Sequence, residues 1–319
     1  MARRLVTSAV LLVLAVLTAG GCTTTTADPD PEPPPPEPPP AEVAGLVDGL
    51  LSPEGQRLFY AAHPRLLTKA EFDAACPNDS ELAVVLGCYH RGTISILRVD
   101  RPDLAPVMTV TAAHEMLHAA YVGLSSRDRG EVDGWVGDFY ADLRDPEIRD
   151  LVTQYDRREP QQRGNELHSI LPTEVSALSP PLEAYYRRYF IDRQAVVRAH
   201  ESYAAIFREL ERRVAGLHAE LDGLKGQLNA LEAQMNATRG ELESLNGQLD
   251  RLEGQGDIRT YNALVPRQNA LVAQYNGLVD RFNQVVDLHN RKVDEVNGLA
   301  LQQDQLATSL GSKPSLPTR

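Results

Sequence analysis

One short motif in the sequence has residue types and spacing suited to metal chemistry, His114-Glu115-Met116-Leu117-His118. Residues four apart lie on the same side of an α-helix, so the imidazoles of His114 and His118 can reach one metal ion. Glu115 projects beside them, where its carboxylate could take a proton from a zinc-activated water molecule. The surrounding segment is apolar, and two histidines without partners would be costly there. The pattern therefore predicts a zinc (Zn²⁺) site with His114 and His118 as ligands and Glu115 as general base.

A catalytic zinc site needs a third protein ligand and one open position. The residues that follow His118 do not continue the HExxHxxGxxH pattern, so the third ligand must come from further along the chain. Residues 165–178 form the other stretch that is dense in metal-binding side chains. Its candidates are Glu166, His168 and Glu174, and the residue types leave all three open.

With this HEMLH motif and the glutamates downstream of it, the chain resembles the gluzincin side of the zincin metallopeptidases. In those enzymes the third ligand is a glutamate on a downstream helix, often with a small residue three positions later. Glu174 followed by Ala177 fits that pattern, and Pro172 is expected to start the helix. The resemblance thus implies Glu174 as the zinc ligand, ahead of His168 and Glu166. It also implies that His168 stabilises the oxyanion formed during hydrolysis.

The elements around the motif predict a small globular domain over residues 41–202. Two runs rich in β-branched residues, 82–88 and 93–99, flank Tyr89-His90-Arg91-Gly92 and predict a β-hairpin. Pro106 then opens the helix that carries the motif. Further helices are predicted over 43–62, 69–75, 132–143, 146–155 and 182–202. The expected fold class is α+β, mainly α, with a zincin-like domain followed by a helical coiled coil.

The last third of the chain carries a coiled-coil repeat. Apolar residues alternate at spacings of three and four from Phe207 to Leu252, and a similar rhythm resumes from Tyr261 to Leu299. The Gly-rich break at 254–257 predicts an antiparallel hairpin over residues 203–310, with pairing between chains as the alternative. Pro266 is expected to kink the second helix or to mark its start. Residues 311–319 are expected to be a disordered tail.

The N-terminus has the pattern of a targeting segment. Two arginines, an apolar run and small residues precede Cys22, which predicts a signal peptide over residues 1–21 and lipid attachment at Cys22. The alternative is an ordinary secretory signal. Residues 22–40 are rich in Thr and then Pro, as expected of an extended linker. Cys76 and Cys88 then remain as an even pair, which favours a disulfide in an oxidising compartment.

Charge and composition restrict the function further. The chain has 319 residues and a net charge of -12, which argues against a nucleic-acid partner. We expect a zinc metallopeptidase, lipid-anchored on the extracytoplasmic face of a bacterial cell membrane, that hydrolyses a peptide or protein substrate. The coiled coil predicts a protein partner or a homo-oligomer. Two alternatives stay open: a non-catalytic cell-envelope scaffold or adaptor that works through its coiled coil, and a protease regulated by its hairpin.

Overall fold

The fold is described from a computed structural model, which covers residues 35–76, 86–158 and 160–311. This part of the chain is mainly helical with one small sheet, so the predicted α+β, mainly α, class is confirmed. The α-helices are, in chain order, α1 Ala41–Ala44, α2 Pro53–Ala61, α3 Lys69–Ala75, α4 Pro106–Val122, α5 Ser126–Asp142, α6 Pro146–Arg158, α7 Arg163–Glu174, α8 Pro180–Tyr186, α9 Arg193–Gln255 and α10 Ile258–Ser309. The strands are β1 Arg65–Leu67, β2 Gly87–His90 and β3 Thr93–Leu97, and 3-10 turns cover Gly45–Val47 and Pro160–Gln162.

Local capping explains where several helices begin. Helix α3 has the predicted bounds, and its start is stabilised by a reciprocal capping box between Thr68 and Glu71. The helix predicted over 43–62 is divided between α1 and α2, and Ser52 caps α2 ahead of Pro53. The helix predicted over 182–202 is likewise divided between α8 and α9.

The sheet has the strand order β1-β3-β2, so β2 is an edge strand. β2 and β3 form the predicted antiparallel hairpin, but Tyr89 and His90 belong to β2 rather than to the turn. The turn consists of Arg91 and Gly92, which both have positive φ, as a two-residue hairpin loop requires. β1 pairs with β3 in parallel and was not predicted, because three residues are too few to show a period.

Cys76, at the end of α3, and Cys88, in β2, form the disulfide that their even number favoured. The bond covalently joins α3 to the edge strand of the sheet. Both cysteines are buried. In the chain-entropy model, closing a loop of this length contributes up to about 3 kcal/mol to stability.

Helix α7 ends where the sequence suggested that a helix begins. Pro172 lies in its last turn and Glu174 is its last residue, so the prediction of a helix starting at Pro172 was wrong. A proline inside a helix leaves the carbonyl four residues earlier without its backbone donor. Here that carbonyl belongs to His168, and the Tyr186 hydroxyl from α8 donates to it at 3.0 Å. The tertiary hydrogen bond compensates for the missing backbone one and lets α7 continue past Pro172.

The chain divides into two compact units, Met1–Arg208 with Asp304–Arg319, and Glu209–Gln303. Helices α9 and α10 span residues 203–309 of the predicted hairpin, and Glu209–Gln303 form the second unit. Phe207, Leu306 and Leu310 are buried and belong to the first unit. The first unit also contains the whole sheet and helices α1 to α8.

The second unit is an antiparallel helical hairpin. Cross-helix contacts step outward from the turn at Gly256: Asn246 with Gln268, Thr238 with Gln274, and Glu220 with Lys292. Its turn-proximal core comprises Leu245, Leu249 and Leu271, packed against Leu242, Tyr261 and Leu264. Pro266 lies inside α10, which starts at Ile258, so it does not mark the start of that helix.

No helix within the described ranges is both long and apolar enough to cross a membrane. The predicted signal peptide, Cys22 and most of the Pro-rich linker lie outside these ranges, as do residues 312–319 of the predicted tail.

Candidate metal site

Helix α4 brings the three motif residues together. It is buried along most of its length, and His114, Glu115 and His118 are 1%, 0% and 0% exposed. The Nε2 atoms of His114 and His118 lie 2.9 Å apart. Two imidazole nitrogens bound to one tetrahedral zinc at 2.0–2.1 Å stand about 3.3 Å apart, close to that spacing. In the described part of the chain, these three side chains form a group compact enough to hold a metal ion.

Helix α7 orients one of the two imidazoles. The Nδ1–H of His118 donates to Asn165 Oδ1 at 2.9 Å, and Ser169 Oγ lies 3.2 Å from the same nitrogen. This tautomer leaves the lone pair of Nε2 directed at His114 and available to a metal. Nδ1 of His114 has no hydrogen-bond partner among the described residues, so α7 fixes one ring of the pair and not the other.

Glu115 is a carboxylate enclosed by protein. Neither of its oxygens has a well-formed hydrogen bond within the described ranges, although the backbone amide of Tyr89 lies near enough to act on it. Burial, and then the charge of Glu166, raise the pKa of Glu115 well above its ordinary value. The β2 backbone packs directly on this side chain: a Cβ added at Gly87 would lie 2.8 Å from Glu115 Oε1 and would also clash with Thr111 Cγ2. The edge strand can approach Glu115 this closely because residue 87 has no side chain.

Of the three candidates for a third ligand, Glu166 approaches the histidines. Its side chain is buried, and its Oε1 lies 3.9 Å from His118 Nε2. Glu166 is two residues from His168 and eight from Glu174, so about 12 Å of helix axis separates the two glutamates. One helix cannot bring both carboxylates to the same ion at that separation.

Glu174 does not reach the site, which corrects the preference for it as the third ligand. Its Oε2 lies 4.0 Å from Nε2 of His200, on α9. Burial raises the pKa of Glu174 to about 8, with further contributions from the charges of Asp145 and Glu147. Burial likewise lowers the pKa of His200 to about 4. Glu174 therefore belongs to a separate, half-buried polar cluster at the end of α7.

His168 lies in a cage of aromatic rings rather than in the metal-binding group. Its Nε2 is 2.9 Å from the Tyr185 hydroxyl. Burial and the charge of His118 lower its pKa to about 3, so the ring is neutral at neutral pH. The predicted oxyanion role has no direct contact to support it. The ring centroids of the cage lie between 5.4 and 6.2 Å from that of His168 and belong to Tyr121, Tyr185, Tyr186 and Tyr189.

The electrostatics of the histidines suit a metal. Burial lowers the pKa of His118 to about 4 and that of His114 well below its ordinary value. Both rings are therefore neutral at pH 7, which is the form that binds metal ions. The two carboxylates beside them are buried, and a buried acidic pair is stabilised by a cation.

Asn165 and Ser169, which orient His118, are not among the predicted site residues. A signal for them exists in the sequence, because Asn165, Ser169 and Thr173 follow one another at intervals of four. Residues at that spacing share one side of a helix, and here the shared side is buried. A polar stripe on a buried helix face indicates a partner across the interface.

Comparison of the chain with protein-family models, with curated proteins and with solved structures found no match.

Proposed function

We propose that this protein is a zinc-dependent metallopeptidase. The observation that carries the proposal is the group on α4, where two neutral imidazoles converge within 2.9 Å of each other beside the buried Glu115 carboxylate. Hydrolytic zinc sites with this motif use these residue types: two histidines as ligands and an adjacent glutamate that handles the proton.

The roles follow from the distances. His114 and His118 would hold the ion through Nε2, and Glu166 would complete the protein ligands because its Oε1 is already 3.9 Å from His118 Nε2. When bound, zinc supplies a Lewis acid that polarises the scissile carbonyl and acidifies water. Glu115 would accept the proton of that water and pass it to the leaving amine. Burial raises the pKa of the Glu115 carboxyl, which suits such a proton carrier.

Asn165 and Ser169 would act through His118. By accepting the Nδ1 proton, Asn165 keeps the His118 ring in one orientation and one tautomer. Such supporting hydrogen bonds are worth about 10- to 100-fold in metal affinity.

The complete burial of the group favours a second candidate, a structural metal site in a non-catalytic envelope scaffold. A metal bound between α4 and α7 would hold the two helices together without needing access for a substrate. The two candidates differ in their need for Glu115, since a structural site does not use a proton acceptor beside the metal.

The experiment that separates them is Glu115→Gln, with the exposed Glu131→Gln as the control of equal charge change. We would measure the zinc content of both variants and their hydrolysis of fluorescent casein. We expect Glu115→Gln to keep zinc and to lose activity by at least about 10²-fold, while Glu131→Gln keeps both. Zinc-dependent activity of wild-type size in Glu115→Gln would contradict the mechanism. Zinc binding with no hydrolysis by the wild type would favour the scaffold.

We further propose that the protein is lipid-anchored through Cys22 outside the cytoplasm, as the N-terminal pattern predicts. A disulfide between Cys76 and Cys88 is compatible with an oxidising compartment. Radiolabelled fatty acid should attach to the wild type and not to Cys22→Ala. Label on both proteins would refute the anchor.

A further inference from the structure

Helix α10 carries two uncharged rows in addition to the residues that pack against α9. The first, here called the Val row, is Val265, Val272, Val279, Val286 and Val293. The second, the Asn row, is Asn262, Asn269, Asn276, Asn283, Asn290 and Asn297. Each row repeats every seven residues, and the two lie about 60° apart around the helix. Together they form a continuous neutral strip along α10.

This strip is open to solvent in the hairpin. All six asparagines are exposed, Val272 is 44% exposed, and the other four valines are half-buried. Positions that flank a coiled-coil seam usually carry Glu or Lys, which keep the flank soluble and set the partner. An unbroken row of valine at such a position instead indicates a second contact surface.

The charged residues beside the strip differ between its two ends, with a positive charge near its start and negative charges in its second half. The row next to the asparagines, about 40° further around the helix, reads Arg259, Pro266 and Ala273 in its first half. In its second half it reads Asp280, Asp287 and Asp294. Arg259 and the three aspartates are exposed and have no ion-pair partner among the described residues.

We propose that this strip is a homodimer interface, in which α10 of one chain packs antiparallel on α10 of a second copy. Three features favour a second copy over another partner. The strip is neutral in a chain with a net charge of -12, so two copies can approach without repulsion along it. An asparagine amide is both donor and acceptor, so the Asn row is complementary to itself. Antiparallel packing centred near Gly277 also places Arg259 of each chain near Asp294 of the other.

Parallel packing would place each aspartate beside its own copy, which is unfavourable. The charge pattern therefore selects the antiparallel arrangement. Because most of the Val row is already half-buried within its own chain, the area left for the dimer is modest and the association is expected to be weak. This surface lies within the hairpin unit and does not depend on the metal site.

The first test is the association state of the full chain carrying Cys22→Ala, by sedimentation equilibrium. We expect a dimer whose dissociation constant rises at least tenfold in Val272→Glu. The control is Gln284→Glu, an exposed position on α10 outside both rows that adds the same charge. Circular dichroism checks that both variants keep their helices. A monomeric wild type, or equal effects of the two variants, would overturn the proposal.

The second test is orientation. Nitroxide labels would be placed at Asn276→Cys or at Asn297→Cys in the same Cys22→Ala chain, and the distance between labels in the dimer measured by pulsed electron resonance. Antiparallel packing about Gly277 predicts labels within about 25 Å at position 276 and about 60 Å apart at position 297. Short distances at both positions would mean a parallel dimer and overturn the proposal. Arg259→Asp and Asp294→Arg should each weaken the dimer, and the double variant should restore it.

Discussion

Replacing Glu174 with glutamine tests two features of helix α7: the raised pKa of the Glu174 carboxyl, and the separation of this residue from the motif histidines. The folded protein raises the pKa of the Glu174 carboxyl to about 8, whereas the ordinary value is 4.5. Between those pH values the folded chain keeps a proton that the unfolded chain has released. Stability therefore falls as pH rises through this window, by at most about 1.4 kcal/mol per pH unit. At pH 7 the accumulated loss is on the order of 3 kcal/mol.

Glutamine at position 174 has no proton to release, so Glu174→Gln should escape this loss. We expect the free energy of unfolding of the variant to match that of the wild type near pH 4.5. At pH 7 the variant should be the more stable of the two, by up to about 3 kcal/mol. Urea unfolding between pH 4.5 and 8, followed by circular dichroism, measures the difference. Glu201→Gln, an exposed position on α9, is the control with the same charge change. Because Glu174 lies beside His200 and away from the motif histidines, the variant should also keep its zinc.

Two results would contradict this assignment of Glu174. Parallel stability curves for Glu174→Gln and the wild type across the whole pH range would mean that the carboxyl is not held protonated. Loss of zinc in Glu174→Gln would mean that Glu174 is a zinc ligand and that α7 does not hold it away from the motif histidines.

Three further predictions concern the same helix. Glu166→Ala should abolish stoichiometric zinc binding, measured by competition with a chromogenic chelator, and full retention of zinc would exclude Glu166 as a ligand. Asn165→Ala should weaken zinc affinity by about 10- to 100-fold while leaving the fold intact, and an unchanged affinity would mean that the hydrogen bond to His118 Nδ1 does not matter. Tyr186→Phe removes the donor to the His168 carbonyl and should lower the free energy of unfolding in urea by about 1–3 kcal/mol. The control Tyr60→Phe, at a surface hydrogen bond, should lower it by less than about 0.5 kcal/mol.

Elements with a strong local signal were predicted well from the sequence. Helix α3 has the bounds that the sequence predicts, and the three-and-four repeat located the helical hairpin. The motif on α4 was recognised because its spacing is a property of one helix. By contrast, β1 has three residues and gains its stability from pairing with β3, which no local pattern reveals.

Which residue of α7 approaches His118 depends on tertiary contacts that no local pattern reveals. Proline favours the first turn of a helix, so the sequence predicts a helix start at Pro172. Instead Pro172 lies in the last turn of α7, where the Tyr186 hydroxyl donates to the His168 carbonyl. Glu174 is therefore the last residue of α7, eight residues after Glu166. The approach of Glu166 to His118 is then a consequence of how α7 packs on α4, which is a tertiary contact.

His114, Glu115 and His118 are proposed to form a zinc site. The most direct test is the metal content, by plasma emission, of the protein purified without added zinc. We predict one zinc per chain. A folded, helical protein that contains no zinc, and takes up none when zinc is supplied, would contradict the claim.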